Sequence, residues 1–274
     1  MELSDGSSQR RTTDRPARHT RRRAHCEPGP DRGLSALSFL VGRAGRDQAA
    51  MREVAESLSH ELRTPLTTIY SGSKILSRPR MAMSEATMRE VSAAIEADAE
   101  RLYRIVEDLV VAALPEGRAI AVEPVSLQHL LPGIVRHEQT RWPATRFATS
   151  IPVNLPPVGG DEFYLEQVVR NLLANAARFG PEDGLVVTSV TEGRDDLVVR
   201  VTDEGPGIDP GEEDRVFGLF YRSPATVEQA GLGLGLFVCR RLVEAMDGAI
   251  WATNRRAGGA EVGFRIPLYP ADPS

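Results

Sequence analysis

His60 stands in the run SLSHELRTPLTTI, followed at once by Glu61 and then by Arg63, Thr64 and Pro65. A neutral imidazole keeps a free lone pair near pH 7, because its unperturbed pKa is about 6.5. A carboxylate that accepts a hydrogen bond from one ring N–H fixes the tautomer and makes the other nitrogen a better nucleophile toward phosphorus. Glu61 is the candidate for that role. The apolar spacing around the pair is helical. With Leu58 taken as facing a partner helix, Val54, Leu62, Leu66 and Ile69 cluster near that direction at about 100° per residue. His60 then points about 200° away, so its reaction partner comes from outside its own bundle. Pro65 lacks an N–H and its ring crowds the Glu61 carbonyl, which predicts a helix kink just past His60.

Four later segments carry further chemistry. In NLLANAARFG, Asn171 and Asn175 are four apart and share a helix face, with Arg178 beyond them. Amide oxygens are hard ligands for Mg2+, which fills the rest of its octahedron with waters and phosphates. The same spacing also suits a plain polar helix surface. Asp203-Glu204-Gly205-Pro206-Gly207-Ile208 follows the strand-like run LVVRVT. Gly205 and Gly207 permit turn conformations and close approach to a flat ligand, and the Asp203 carboxylate can accept a hydrogen bond from an amino group. A simple Pro-Gly turn is the alternative. VFGLFYRS carries Phe217 and Phe220, expected to pack a lid against its domain, while Arg222 leans on a phosphate or is solvated. Gly231, Gly233 and Gly235 precede an apolar helical run that ends near Asp247 and Gly248. Backbone N–H groups bared at a helix N-terminus suit an anionic phosphate chain. No G-K-[ST] follows, so this is not a P-loop. Gly248 is the expected left-handed stop of that helix.

These groups need elements to hold them. Helical spacing extends over about 47–76 and 85–113, with SRPRMAMS and its Pro79 as the turn, predicting an antiparallel hairpin. One hairpin covers only half of its apolar stripe, so pairing of two copies into a four-helix bundle predicts a homodimer. Residues 115–123 read as a linker. Beyond it, the strand candidates RFATSI, LVVTSVTEG, DLVVRVTDEG, AIWATNRR and EVGFRIPL alternate with three helical runs. That order predicts an α/β sandwich over 124–270, one mixed sheet with helices on a single face.

Composition narrows the classes. With 274 residues, 41% hydrophobic and 26% charged, the chain is long enough for two modest domains of ordinary soluble type. A net charge of −5 gives no reason to expect nucleic acid as a partner. Cys26 and Cys239 lie in unlike contexts, which indicates neither a disulfide framework nor a metal site and fits a reducing cytoplasm. The longest apolar candidate, LSALSFLVG at 34–42, is too short to span a bilayer, so the chain is expected to be soluble or to reach a membrane only through a partner. No signal peptide is recognisable. Residues 1–33, rich in Arg, Ser, Thr, Pro and Gly, are expected to be a disordered tail, 34–46 a short connection and 271–274 a tail. No recognisable sensory domain is expected in the residues ahead of His60 in this sequence.

H-E-L-R-T-P at His60, Glu61, Arg63, Thr64 and Pro65 resembles the H-box of the sensor histidine kinases of two-component signalling. The Asn boxes, D-x-G-x-G, aromatic segment and G-x-G-x-G, in this order, resemble the ATP-binding fold shared by those kinases with gyrase, a heat-shock chaperone and MutL. The resemblance covers about 47–270. It implies a dimerisation and histidine phosphotransfer domain at 47–114 and a catalytic ATP-binding domain at 124–270. It implies ATP-dependent phosphorylation of His60, with Asn171 and Asn175 toward Mg2+, Asp203 reading adenine, and Arg178 and the glycines at the phosphates. It also implies transfer to an aspartate of a response regulator. Thr64, one turn from His60, resembles the residue that positions water for regulator dephosphorylation in bifunctional members. Arg178 stands where many relatives have Lys, Leu232 where a small hydroxyl residue is frequent, and Ala260 where Thr is frequent. An anti-sigma-type serine kinase of the same fold and a non-catalytic adaptor are the rival readings. The H-box argues against the first and the intact nucleotide boxes against the second.

Overall fold

Apolar residues at every third or fourth position wind the first described part of the chain into two 29-residue helices, α1 (Gln48–Leu76) and α2 (Glu85–Ala113). The computed structural model describes residues 48–77, 83–115, 120–223 and 231–270. The segments 1–33 and 34–46, Pro79, the middle of the expected linker and the tail 271–274 lie outside the described residues, as do the side chains of Met51 and Val54. Ser84 starts α2 by accepting a hydrogen bond from the Thr87 N–H at 3.1 Å, which satisfies one of the orphan donors of the first turn. α1 continues through Pro65, whose ring is buried.

The seam between the two helices runs along Leu58, Pro65 and Gly72, buried at seven-residue spacing. A Cβ on Gly72 would lie 2.7 Å from the Ile95 side chain, so the missing side chain sets how closely the helices approach. The expected contact direction through Leu62 and Leu66 is therefore displaced. Leu62 is half-buried, while Leu66 is 50% and Tyr70 61% exposed. α2 covers one flank of the stripe and leaves the other open.

The second half of the chain folds around a sheet. A short antiparallel ribbon joins β1 (Glu123–Val125) to β3 (Val158–Gly160). Three residues of VGG carry no alternating pattern, which is why β3 was not foreseen. The main sheet is formed by β2 (Arg146–Ser150), β4 (Leu185–Glu192), β5 (Asp196–Thr202), β6 (Ala249–Asn254) and β7 (Ala260–Pro267). Its order is β2-β4-β5-β7-β6, with β2 parallel to β4 and the other pairs antiparallel. Val186, Thr188 and Val190 of β4 and Leu197, Val199 and Val201 of β5 turn inward at every second position. Helices α3 (Leu127–Arg141), α4 (Glu162–Phe179) and α5 (Gly235–Ala245) cover that face with Leu131, Leu165, Leu172, Leu173 and Leu242. This is the expected α/β sandwich with one mixed sheet.

Helix ends fix the functional segments. Asp161 caps α4, its carboxylate accepting from the Phe163 and Tyr164 N–H groups at 2.9 and 3.2 Å. At the end of α5 the Gly248 N–H reaches the Val243 carbonyl at 2.9 Å and the Asp247 N–H reaches Glu244. The left-handed residue of this stop is Asp247, at φ 57°, rather than the expected Gly248. Gly248 is needed for a different reason: a Cβ there would meet the Arg265 carbonyl oxygen at 2.4 Å. Among the described residues no helix is long and apolar enough to cross a membrane.

Candidate active site

A cavity of about 490 Å3 opens between the sandwich and the hairpin. α4 lines it with Asn171, Asn175 and Arg178, the β5 end and following loop with Asp203 and Gly207, and the glycine segment with Gly231, Gly233 and Gly235. From the hairpin come Glu61, Arg101, Arg104 and Asp108. His60 and Thr64 are exposed on α1 and do not line it. Gly205 lies beneath the loop, where a Cβ would meet the Phe179 carbonyl oxygen at 2.6 Å.

Asp203 is buried at the end of β5 and locked in orientation. Its Oδ1 accepts from the Gly205 N–H at 2.8 Å and from the Ala260 N–H at 3.1 Å. That leaves Oδ2 to accept from a ligand amino group. The Arg255 guanidinium donates to the Asp203 carbonyl oxygen. Asn254 holds the same loop with two bonds of 2.7 Å, accepting from the Ile208 N–H and donating to the Ile208 carbonyl. Between them Gly207 sits at φ +83°, where a Cβ would run into the Asn254 amide. Sequence reasoning missed Asn254 and Arg255, because their partners are 46 and 52 residues away.

The anion end of the cavity is built from glycines and an arginine. Gly231, at φ +150°, lies against Arg178, whose Nη1 would be 2.9 Å from an added Cβ. Gly233, at φ +66°, rests on the backbone of Phe220 and Tyr221. Gly235 opens α5 and faces Asn171. Burial lowers the Arg178 pKa, Arg141 and Arg101 push the same way, and Glu61 opposes them. Positive charge is thus concentrated where an anion would relieve it. Phe217 is fully buried with the Arg240 guanidinium 4.4 Å from its ring centre, while Phe220 is half-buried at φ 60°. Arg222 lines the cavity.

Asn171 and Asn175 have the chemistry a magnesium ion needs. Both line the cavity one helical turn apart, and the Asn171 amide also lies beside the Asp108 carboxyl. An amide oxygen is a hard, uncharged ligand, so the pair would hold a cation without adding negative charge beside the phosphates.

The hairpin contributes a polar wall. Arg101 Nη2 donates to Glu61 Oε2 at 2.6 Å, and the Glu61 side chain is only 13% exposed. The Glu61 oxygen that Arg101 holds is thereby turned toward α2 rather than toward solvent. The Thr64 hydroxyl donates back to the His60 carbonyl at 3.2 Å, which keeps it one turn from the imidazole. Further along α2, Asp108 accepts from the Gln167 amide of α4 at 2.9 Å. Burial pushes its carboxyl up to about 6, against the opposing amides of Gln167 and Asn171. Burial also raises the pKa of Cys239, the free thiol behind this contact. The Arg241 guanidinium donates to the carbonyls of Ala112 and Leu114, pinning the end of α2 to α5.

Residues 50–116 match the His Kinase A (phospho-acceptor) domain, and 160–270 match the histidine kinase-, DNA gyrase B- and HSP90-like ATPase family. The chain is 31% identical over 215 residues to the sensor protein KdpD of Clostridium acetobutylicum, covering 77% of this chain and 24% of that protein. It is 30% identical over 250 residues to the sensor histidine kinase WalK of Bacillus subtilis, covering 88% of this chain and 40% of that one. The chain thus spans less than half the length of either relative. Full-length ShkA, solved with AMPPNP, superposes with a TM-score of 0.58 at 27% identity, over 80% of this chain and 47% of that one. A phospho-acceptor hairpin followed by this ATPase fold is the arrangement of two-component sensor histidine kinases, and the chain belongs to that family.

Proposed function

We propose that the chain is the kinase core of a two-component system: it phosphorylates His60 from ATP and passes the phosphoryl group to an aspartate of a response regulator. The observation that carries this reading is the shared cavity, in which Glu61 of the H-box and the nucleotide segments of the sandwich line one space. Asp203 would orient the adenine amino group through Oδ2. The amides at Gly231–Gly235 and the Arg178 guanidinium would hold the phosphates. A magnesium ion held by Asn171 and Asn175 would neutralise phosphate charge when bound. The AMPPNP bound to ShkA supports a nucleoside triphosphate as ligand.

The His60 imidazole nitrogen attacks the γ-phosphorus, a P–N bond forms, and the bond to the β,γ-bridging oxygen breaks to release ADP. The regulator's carboxylate then attacks phosphorus and the P–N bond breaks. In the reverse duty, Thr64 would position a water that cleaves the aspartyl phosphate to inorganic phosphate. Exposure of His60 and Thr64 suits both encounters. The open flank at Leu66 and Tyr70 suits a second copy, hence a homodimer. A cytoplasmic setting, where ATP is available, fits this chemistry.

Incubation with γ-labelled ATP tests the reading. An acid-labile, alkali-stable phosphoprotein is expected. An acid-stable one would point to a serine kinase, and absence of label to an adaptor. Asn175→Ala should abolish magnesium-dependent nucleotide binding; unchanged affinity would contradict the metal role.

A further inference from the structure

Arg101 has two neighbours that need its charge. On one side its Nη2 holds the Glu61 carboxylate at 2.6 Å. On the other it lines the cavity that also holds Asn175, Arg178 and Gly231. Arg178 feels both members of the pair, Arg101 disfavouring its charged form and Glu61 favouring it. The ion pair lines the same cavity as Arg178, which lies against Gly231 in the glycine segment.

A guanidinium between a carboxylate and an incoming phosphate has a choice of partners. Its planar fork fits either, and a terminal phosphate carries more charge than a carboxylate. Arg101 is 36% exposed at its side chain, so it has room to turn, whereas Glu61 is largely covered. While the pair holds, Glu61 Oε2 is engaged by Arg101 and is not available to a His60 ring N–H.

We propose, building on the kinase reading above, that Arg101 is a shared counter-ion. It holds Glu61 while the cavity is without nucleotide and turns to the terminal phosphate of bound triphosphate. Glu61 is thereby released as an unpaired carboxylate beside His60 at the moment the phosphoryl donor is in place. Arg101 is then a positioning residue for Glu61 and a direct contact for the nucleotide. Arg104, its neighbour one turn on, lines the same cavity but pairs with Glu100 at 4.0 Å rather than with Glu61.

The test is binding of a non-hydrolysable triphosphate and of ADP, each with Mg2+, to the full chain by calorimetry. In Arg101→Gln, affinity for the triphosphate should fall about tenfold while affinity for ADP stays within about twofold, since only the terminal phosphate loses a charged partner. Arg101→Lys should recover part of the difference, because charge persists without the fork. Glu61→Gln, which removes the competing carboxylate, should bind the triphosphate more tightly, and a weaker affinity would contradict the proposal. An unchanged ratio of triphosphate to ADP affinity in Arg101→Gln would overturn it. That result leaves the kinase reading standing if the wild-type chain still labels from ATP. Absence of wild-type labelling sinks the kinase reading instead.

Discussion

At the residue scale, specificity rests on carboxylates and amides whose freedom has been removed. Asp203 offers a ligand one oxygen because two backbone N–H groups occupy the other. Replacing it by Asn swaps acceptor for donor in part of the rotamer population, so Asp203→Asn should weaken ATP binding by about tenfold, measured by calorimetry. Asn254 makes two bonds to Ile208, each worth roughly 1 kcal/mol, so Asn254→Ala should cost about 2 kcal/mol of stability. A thermal or urea melt reads this, and an unchanged midpoint would contradict the clamp. The two residues differ in how visible they were beforehand. Asp203 is flanked by glycines that announce a turn and a close approach. Asn254 stands at the end of an ordinary strand, and its use appears only when β6 and the D-x-G-x-G loop meet in space. Glu61 was visible as an acid next to a histidine, but Arg101, 40 residues away, had no local signature.

Elements decide how those residues face one another. The hairpin helices were legible from their 3.6-residue spacing and the strands from alternation. The seam of α1 was not, because a broad apolar stripe does not say which flank its partner takes, and the neighbour of Gly72 is a question of packing depth. Between α2 and α4, Asp108 is a buried carboxylate with amide partners and a pKa raised from 3.8 to about 6. The folded state therefore holds this proton more tightly than the unfolded chain. Stability from the group is full below the ordinary carboxylate value and is lost as pH rises through about 6. Glu107, also raised by burial, adds the same sign. Asp108→Asn keeps a neutral side chain at all pH values, so it should stabilise the chain at pH 8 by up to about 3 kcal/mol. The gain should shrink at pH 5. Urea titrations of both proteins at the two pH values measure this, and an equal difference at both would contradict it.

The whole molecule combines a platform and a catalyst that meet at one cavity. Composition and motif order were enough to expect both parts, since each has its own hydrophobic period and its own glycine punctuation. What sequence could not show is that the wall of the nucleotide cavity is completed by the hairpin, through Glu61, Arg101 and Asp108. The open flank of that hairpin belongs to this scale too. Leu66 and Tyr70 are half or more exposed on the flank of α1 that α2 leaves open, and Leu66→Glu should convert a dimer to a monomer in sedimentation equilibrium. A variant that remains dimeric would place the interface elsewhere. Everything converges on whether the exposed imidazole of α1 receives the phosphoryl group. Peptide mapping of the chain after incubation with ATP, kept alkaline throughout, reads this without ambiguity. The phosphoryl group is expected on the peptide that carries His60 and is expected to vanish in His60→Gln; a phosphoryl group retained by that variant would contradict the assignment.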